Sequence, residues 1–213
     1  MTPRAVIFDL WDTLVDWPVA EAEVLVGRLA AHVPVEAAEF DRRWRESYRA
    51  SQTGPIAEVY RSIGVPDEHV AHHVAACHEF GRRALRPRTG AVETLVELRR
   101  RGLKLAVLSN CSEEVPVAWP GAPLAGLFDV ETLSADFGLM KPDPEIYLHT
   151  ARALGIEPDA CLFVGDGAND ELAGAARVGM TPVLFAPGEP RWPAVQQWDG
   201  LRVSSIEEVL ELC

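Results

Sequence analysis

The chain has no uninterrupted apolar stretch near the roughly 20 residues that a membrane helix requires. Its four cysteines form no Cys-x-x-Cys pair, and it carries no internal repeat and no low-complexity tract. It is also short of positive charge, with 20 Lys and Arg against 32 Asp and Glu, a net charge of −12 over 213 residues. Each shortage excludes a class. A membrane-spanning protein is not expected. The spacing of Cys77, Cys111, Cys161 and Cys213 fits neither a zinc site nor a disulfide framework. The acidic balance repels phosphate backbones, so a nucleic-acid partner is not expected. A small anionic substrate remains admissible, provided that a local cation offsets the field. The opening MTPRAVIFDLWDTL has one arginine, and its apolar run breaks at Asp9 and Asp12. That is not the pattern of a secretory leader. A cytoplasmic protein with reduced thiols is the expectation.

With 48% hydrophobic and 24% charged residues, the composition is that of a globular chain able to bury a core. Short, mainly apolar runs recur at 5–8, 103–108, 161–164 and 182–185, with a weaker one at 128–133. Continuous rather than alternating hydrophobicity suits strands buried on both faces, as in a parallel sheet covered by helices. Amphipathic segments follow them at 90–101, 143–154 and 169–178, with Gly102, Gly155 and Gly179 as stops. Ser205 is placed to cap a last short helix over 206–212. Residues 186–199 read as a long surface loop. Residues 15–88 break the alternation and read as helices over about 19–32, 36–51, 55–63 and 67–84, separated at Pro34, Gly54-Pro55 and Gly64–Pro66. The expected fold is α/β, a Rossmann-like doubly wound parallel sheet with an inserted all-helical cap. The core is expected over residues 1–14 and 89–213, and the cap over 15–88. An insertion after the first strand sits beside the carboxyl ends of the strands, where open α/β sheets bind ligands.

Four short motifs follow predicted strands: Asp9-Leu10-Trp11-Asp12-Thr13, Ser109-Asn110, Lys141-Pro142-Asp143-Pro144, and Gly165-Asp166 followed by Asp170. Asp9, leaving a buried strand, is suited to nucleophilic attack. With Asp166 and Asp170 it offers the oxygen-rich donor set of a hard cation such as Mg²⁺. Ser109 and nearby N–H groups can bind anionic oxygens, and Lys141 supplies positive charge.

In this order, the motifs resemble those of the haloacid dehalogenase superfamily of hydrolases, over essentially the whole chain. The resemblance implies Asp9 as nucleophile and Ser109 and Lys141 on the transferring group. It implies Mg²⁺ on Asp9, Asp166 and the backbone carbonyl of Trp11, with Asp170 as a ligand or close partner. Asn110, Thr13, Trp11 and Arg45 are candidate substrate-binding residues. One departure matters. Where the phosphatases of the superfamily carry a second aspartate, this chain has Trp11, which cannot transfer a proton. Asp12 is adjacent, but it either serves as a substitute acid or caps the following turn. The 2-haloacid dehalogenases of the superfamily also lack that acid, and Trp44-Arg45 resembles their Trp-Arg pair. The acidic fourth motif favours a cation and phosphoryl chemistry, because clustered buried carboxylates repel one another without one. An Mg²⁺-dependent phosphatase is therefore the first expectation. A metal-independent dehalogenase is the second, and a catalytically weak binding protein the third.

Overall fold

Strand β1 (Ala5–Phe8) is buried at every residue, and its side chains alternate between two separate apolar layers. A computed structural model describes residues 2–213 and shows why both faces are covered. The strands β1, β2 (Lys104–Ser109), β3 (Val130–Leu133), β4 (Cys161–Gly165), β5 (Thr181–Phe185) and β6 (Leu201–Val203) form one sheet in the order β3-β2-β1-β4-β5-β6. Every pairing is parallel. Helix α6 (Ala91–Arg100) covers one face, where Leu95 and Leu98 pack with Val6, Phe8 and Leu105. Helices α9 (Pro144–Leu154) and α10 (Glu171–Arg177) cover the other, where Ile146, Tyr147, Leu172 and Ala175 pack with Ile7, Ala106 and Phe163. This is the α/β Rossmann-like arrangement expected from the continuous apolar runs.

Between β1 and α6 the chain is helical: α1 (Val19–Ala30), α2 (Ala37–Glu46), α3 (Tyr48–Ser51), α4 (Ile56–Ile63) and α5 (Asp67–Ala84). They enclose an apolar cluster of their own, including Leu29, Phe40, Val59, Ile63 and Val70. The outgoing and returning segments touch: Val15 bridges Pro87, and Arg88 N–H donates to the Leu14 carbonyl at 2.8 Å. A sheet whose strands all run one way collects their carboxyl ends at one edge, and this insertion lies beside β1's end. Two short helices, α7 (Glu114–Ala118) and α8 (Ser134–Phe137), follow β2 and β3. The four cysteines are free thiols. No helix of the described residues is long and apolar enough to cross a membrane.

The structure differs from the expectation at several elements. The helix expected over 36–51 is two, parted at Ser47, whose hydroxyl donates to the Trp44 carbonyl at 2.8 Å. Such a bond gives the backbone an alternative to the helical ladder. Strand β6 was not expected; two of its three residues are exposed, so no apolar run marks it. The last segment is a 3₁₀ turn over Glu207–Leu212, and Ser205 does not cap it. Instead Glu208 closes the turn by accepting from Ser204 N–H at 2.8 Å.

Candidate active site

Asp9 is the first residue beyond β1, and its N–H still donates to the Val164 carbonyl of β4 at 2.8 Å. Leu10 O then accepts from the N–H groups of Thr13, Leu14 and Val15, which turns the chain away from the sheet. The turn brings Thr13 back under Asp9, and its hydroxyl donates to Asp9 Oδ2 at 3.0 Å. Opposite, Lys141 Nζ lies 2.5 Å from Asp9 Oδ1 and 2.6 Å from Glu171 Oε2, with side chains almost wholly buried. Lys141 is one of only two lysines in the chain. Its backbone is clamped by Asn110, whose amide nitrogen donates to Lys141 O at 3.0 Å and whose amide oxygen accepts from Lys141 N at 2.8 Å. Asn110 thus aims the lysine, and it also lines the cavity beside Asp9. Ser109 is fully buried at the end of β2, and its hydroxyl donates to Asn110 O at 3.2 Å.

The acidic partner from the fourth motif is Glu171, not Asp170. Gly167, Asn169 and Asp170 take positive φ values of 89°, 53° and 55°. Asparagine and aspartate tolerate this left-handed region better than most residues. The backbone reverses there, α10 starts at Glu171, and Asp170 is left exposed at its N-cap. Glu171 turns inward, where Oε1 accepts from Gly167 N–H at 3.0 Å. A Cβ at Gly165 would stand 2.2 Å from that same oxygen, so glycine is required for the approach. Carboxylate oxygens of Asp9, Asp166 and Glu171 lie within 4.8 Å of one another.

Burial raises the pKa of Asp9 and of Glu171, and Lys141 opposes both shifts. Burial alone would push the Lys141 ammonium down, but the charges of Asp9 and Glu171 outweigh it and hold it above its ordinary value. Three carboxylates around one ammonium leave an excess of negative charge, and oxygen-only donors suit a hard cation. The residues present therefore fit Mg²⁺. No backbone N–H of the described residues donates to the Trp11 carbonyl, which leaves it free as a further oxygen donor. Asp166 is positioned by Ala168 N–H at 3.1 Å on Oδ1 and by the Trp192 indole N–H at 2.5 Å on Oδ2. Sequence reasoning missed Trp192, because only the folded path of the 186–199 loop brings it to the site.

Asp12 caps the turn into the insertion. Its Oδ1 accepts from Trp17 N–H at 3.0 Å, and its Oδ2 pairs with Arg191 at 2.9 Å. It stands outside the carboxylate cluster. Arg45 does not reach the site. It is exposed on α2, where its Nε donates to the Asp41 carbonyl at 3.2 Å. Trp44 and Tyr48, a helical turn apart, face the cavity, and a residue one position from Trp44 points about 100° away. The helical insertion closes over Asp9 through Tyr48 and Asn169 (3.0 Å), Gln52 and Ser112 (2.9 Å), and His78 and Glu113 (2.7 Å).

Together these walls enclose a cavity of about 320 Å³ that includes Asp9, Trp11, Trp44, Lys141, Asp166 and Glu114. Glu114 was not expected from the sequence. Burial pushes its carboxyl up to about 7. The consequence for stability has a definite sign. Below the ordinary value of 4.5 the group is protonated in both states and costs nothing. As pH rises from 4.5 to about 7, the unfolded chain releases the proton and the folded one keeps it, so stability falls. Above that window the loss totals about 3 kcal/mol. Glu114→Gln is expected to remove this decline. Denaturant midpoints at both ends of the window check it, and a variant that declines as steeply as wild type would contradict it.

A parallel α/β core that gathers a buried aspartate, a buried lysine and two further carboxylates beyond its strand ends fits a class of hydrolases. The chain belongs to the haloacid dehalogenase-like hydrolases, whose family model matches residues 3–179. It is 31% identical to a glyceraldehyde 3-phosphate phosphatase of Methanopyrus kandleri, over 87% of this chain and 85% of that one. In solved structures the fold is shared with a HAD phosphatase of Thermococcus onnurineus at 19% identity (TM-score 0.75, 98% and 97% of the two chains). It is shared equally with a 2-haloacid dehalogenase of Pseudomonas syringae pv. Tomato at 22% identity (TM-score 0.73, 99% and 97%).

Proposed function

We propose that this hydrolase is an Mg²⁺-dependent phosphatase of a small phosphorylated metabolite, working through a covalent intermediate on Asp9. The observation that carries the reading is the cluster of Asp9, Asp166 and Glu171 around the single ammonium of Lys141. A halide-displacing site has no use for so many carboxylates, whereas a site for a cation and a phosphoryl group does. The phosphatase name of the Methanopyrus relative supports the same side. Asp9, Asp166, Glu171 and the Trp11 carbonyl would hold the ion. When bound, Mg²⁺ supplies the positive charge that lets an anionic phosphoryl group approach Asp9.

Asp9 attacks phosphorus, the P–O bond to the leaving oxygen breaks, and an aspartyl phosphate forms while the departing alkoxide takes its proton from water. Water then attacks phosphorus, releasing phosphate and restoring the carboxylate. Thr13 holds Oδ2 and fixes which lone pair faces the substrate, while the Lys141 ammonium opposes the effect of burial and favours the carboxylate form of Asp9. Residues 110–112, which follow β2 and line the cavity, receive phosphoryl oxygens, and Ser109 stands buried behind them as part of the same strand end. The helical insertion acts as a cap over 15–88 that opens to admit substrate and closes to exclude water. Trp11 and Trp17 wall the leaving group.

Turnover of p-nitrophenyl phosphate is expected to vanish on complete chelation with EDTA and to return with Mg²⁺. Activity that survives chelation would sink the metal assignment. Trp11 in the place of an acid favours one second reading, the dehalogenase, because a departing halide needs no proton. A single turnover in ¹⁸O-water with enzyme in excess separates the two. Attack on phosphorus puts the label in phosphate. Hydrolysis of an alkyl ester at its carbonyl carbon puts it in Asp9, where peptide mass spectrometry finds it.

A further inference from the structure

The cavity above Asp9 is apolar along the helical insertion, with Leu25, Val26, Leu29, Trp44, Ile56 and Phe80 in its wall. Its two cations are already engaged: Lys141 by Asp9 and Glu171, and Arg191 by Asp12. Away from the carboxylate cluster the cavity has one buried acid, Glu114, which is only 4% exposed. Its side-chain partner is the thiol of Cys77, whose Sγ lies 3.8 Å from Oε2. A thiol is a weak donor, the other help comes from the backbone N–H groups of Glu114 and Ser112, and a buried carboxylate with no cation beside it costs free energy. The neighbouring groups, Tyr60 and Cys77, are neutral, since burial pushes the tyrosine hydroxyl up and the thiol up to about 12. The carboxyl therefore lines an apolar cavity with no cation paired to it, which is the arrangement of a specificity contact.

We infer, resting on the phosphatase reading, that the alcohol part of the substrate is an apolar chain or ring ending in an amine, with the ammonium seated on Glu114. The apolar body packs between the tryptophans and the α1 leucines. A second anionic group on the leaving group finds no free cation and meets the Glu114 carboxylate, so such esters are rejected. A charge-assisted bond in a dry pocket gives discrimination of about tenfold or more over the same chain without the amine.

Trp11, Trp17, Trp44 and Trp192 line the cavity, so intrinsic fluorescence reports its occupancy. Titration with hexylamine, hexan-1-ol and hexanoate is expected to give the tightest binding for the amine, by about tenfold, and the weakest for the carboxylate. In Glu114→Gln, the amine should fall to the level of the alcohol. Equal affinities, no binding by any of the three, or a preference that persists in a folded Glu114→Gln overturns the inference. Should that variant fail to fold, the order in wild type decides alone. The kinetic counterpart compares 6-aminohexyl, hexyl and 5-carboxypentyl phosphates with Mg²⁺, and the same order in kcat/KM is expected. Amine binding without turnover of any ester retires the phosphatase reading and supports the ammonium contact. Turnover with the order reversed does the opposite.

Discussion

Asp9→Asn is expected to lower kcat on the order of 10⁴- to 10⁶-fold, the scale seen when a covalent nucleophile is removed. The fold should survive the change. Asparagine has the same shape, Thr13 can still donate to its amide oxygen, and Lys141 keeps Glu171 at 2.6 Å as a charged partner. One of three mutually repelling carboxylates is removed at the same time. The measurement is single-turnover kinetics beside a thermal melt, so that lost chemistry and lost structure are read separately. Residual activity within tenfold of wild type would exclude a covalent step on Asp9. If neither protein turns over any phosphate ester or 2-haloacid, and both are stabilised equally by the same ligand, the chain is a binding protein that kept the fold.

The helical insertion and most of the sheet could be read from the hydrophobic pattern alone, because a strand buried on both faces has to be apolar throughout. Ala5–Phe8 and Cys161–Gly165 meet that condition at every residue. The three-residue β6 does not, since it lies at the sheet edge with Leu201 and Arg202 in solvent. At the site, Asp9 and Lys141 were legible because each follows a strong local pattern. Glu171 was not, because its inward turn depends on Asn169 and Asp170 both taking positive φ. Helical spacing from Asp166 points to Asp170 only if the helix starts early. The close approach required at Gly165 was the one local signal, and glycine also closes strands at which no side chain approaches.

Arg45 fails for a related reason. Its neighbour Trp44 lines the cavity, and Arg45, one position on, lies on another face of the helix. Asn110 has a role beside the expected one that only the fold reveals. A side-chain amide next to an anion site reads as a ligand, and this one also clamps the Lys141 backbone. Glu114 and Trp192 carry no sequence signal at all. A glutamate in Ser-Glu-Glu reads as a solvated helix start until α5 covers it. Trp192 reads as loop until its indole meets Asp166.

Lys141→Met is expected to be the most damaging single change to the fold. The side chain is fully enclosed, so methionine fills much of the volume but leaves Asp9 and Glu171 facing each other without a cation. Removing one partner of a buried pair costs about 3–5 kcal/mol, because the other charge stays behind unpaired. Here two charges stay behind. Lys141→Arg should rescue little. The guanidinium is larger and planar, and Asn110 holds the residue 141 backbone so that it cannot retreat. Glu171→Gln added to Lys141→Met should recover part of the loss, since it removes one of the stranded carboxylates. Chemical denaturation of the two single variants and the double gives the coupling, and additive losses would mean that packing rather than charge holds Lys141 in place. Mg²⁺ then tests the same electrostatics from the other side. The cation is the only remaining positive charge for Asp9, Asp166 and Glu171, so it should raise the melting temperature of Lys141→Met more than that of wild type. An equal rise in both proteins would place the metal away from this cluster.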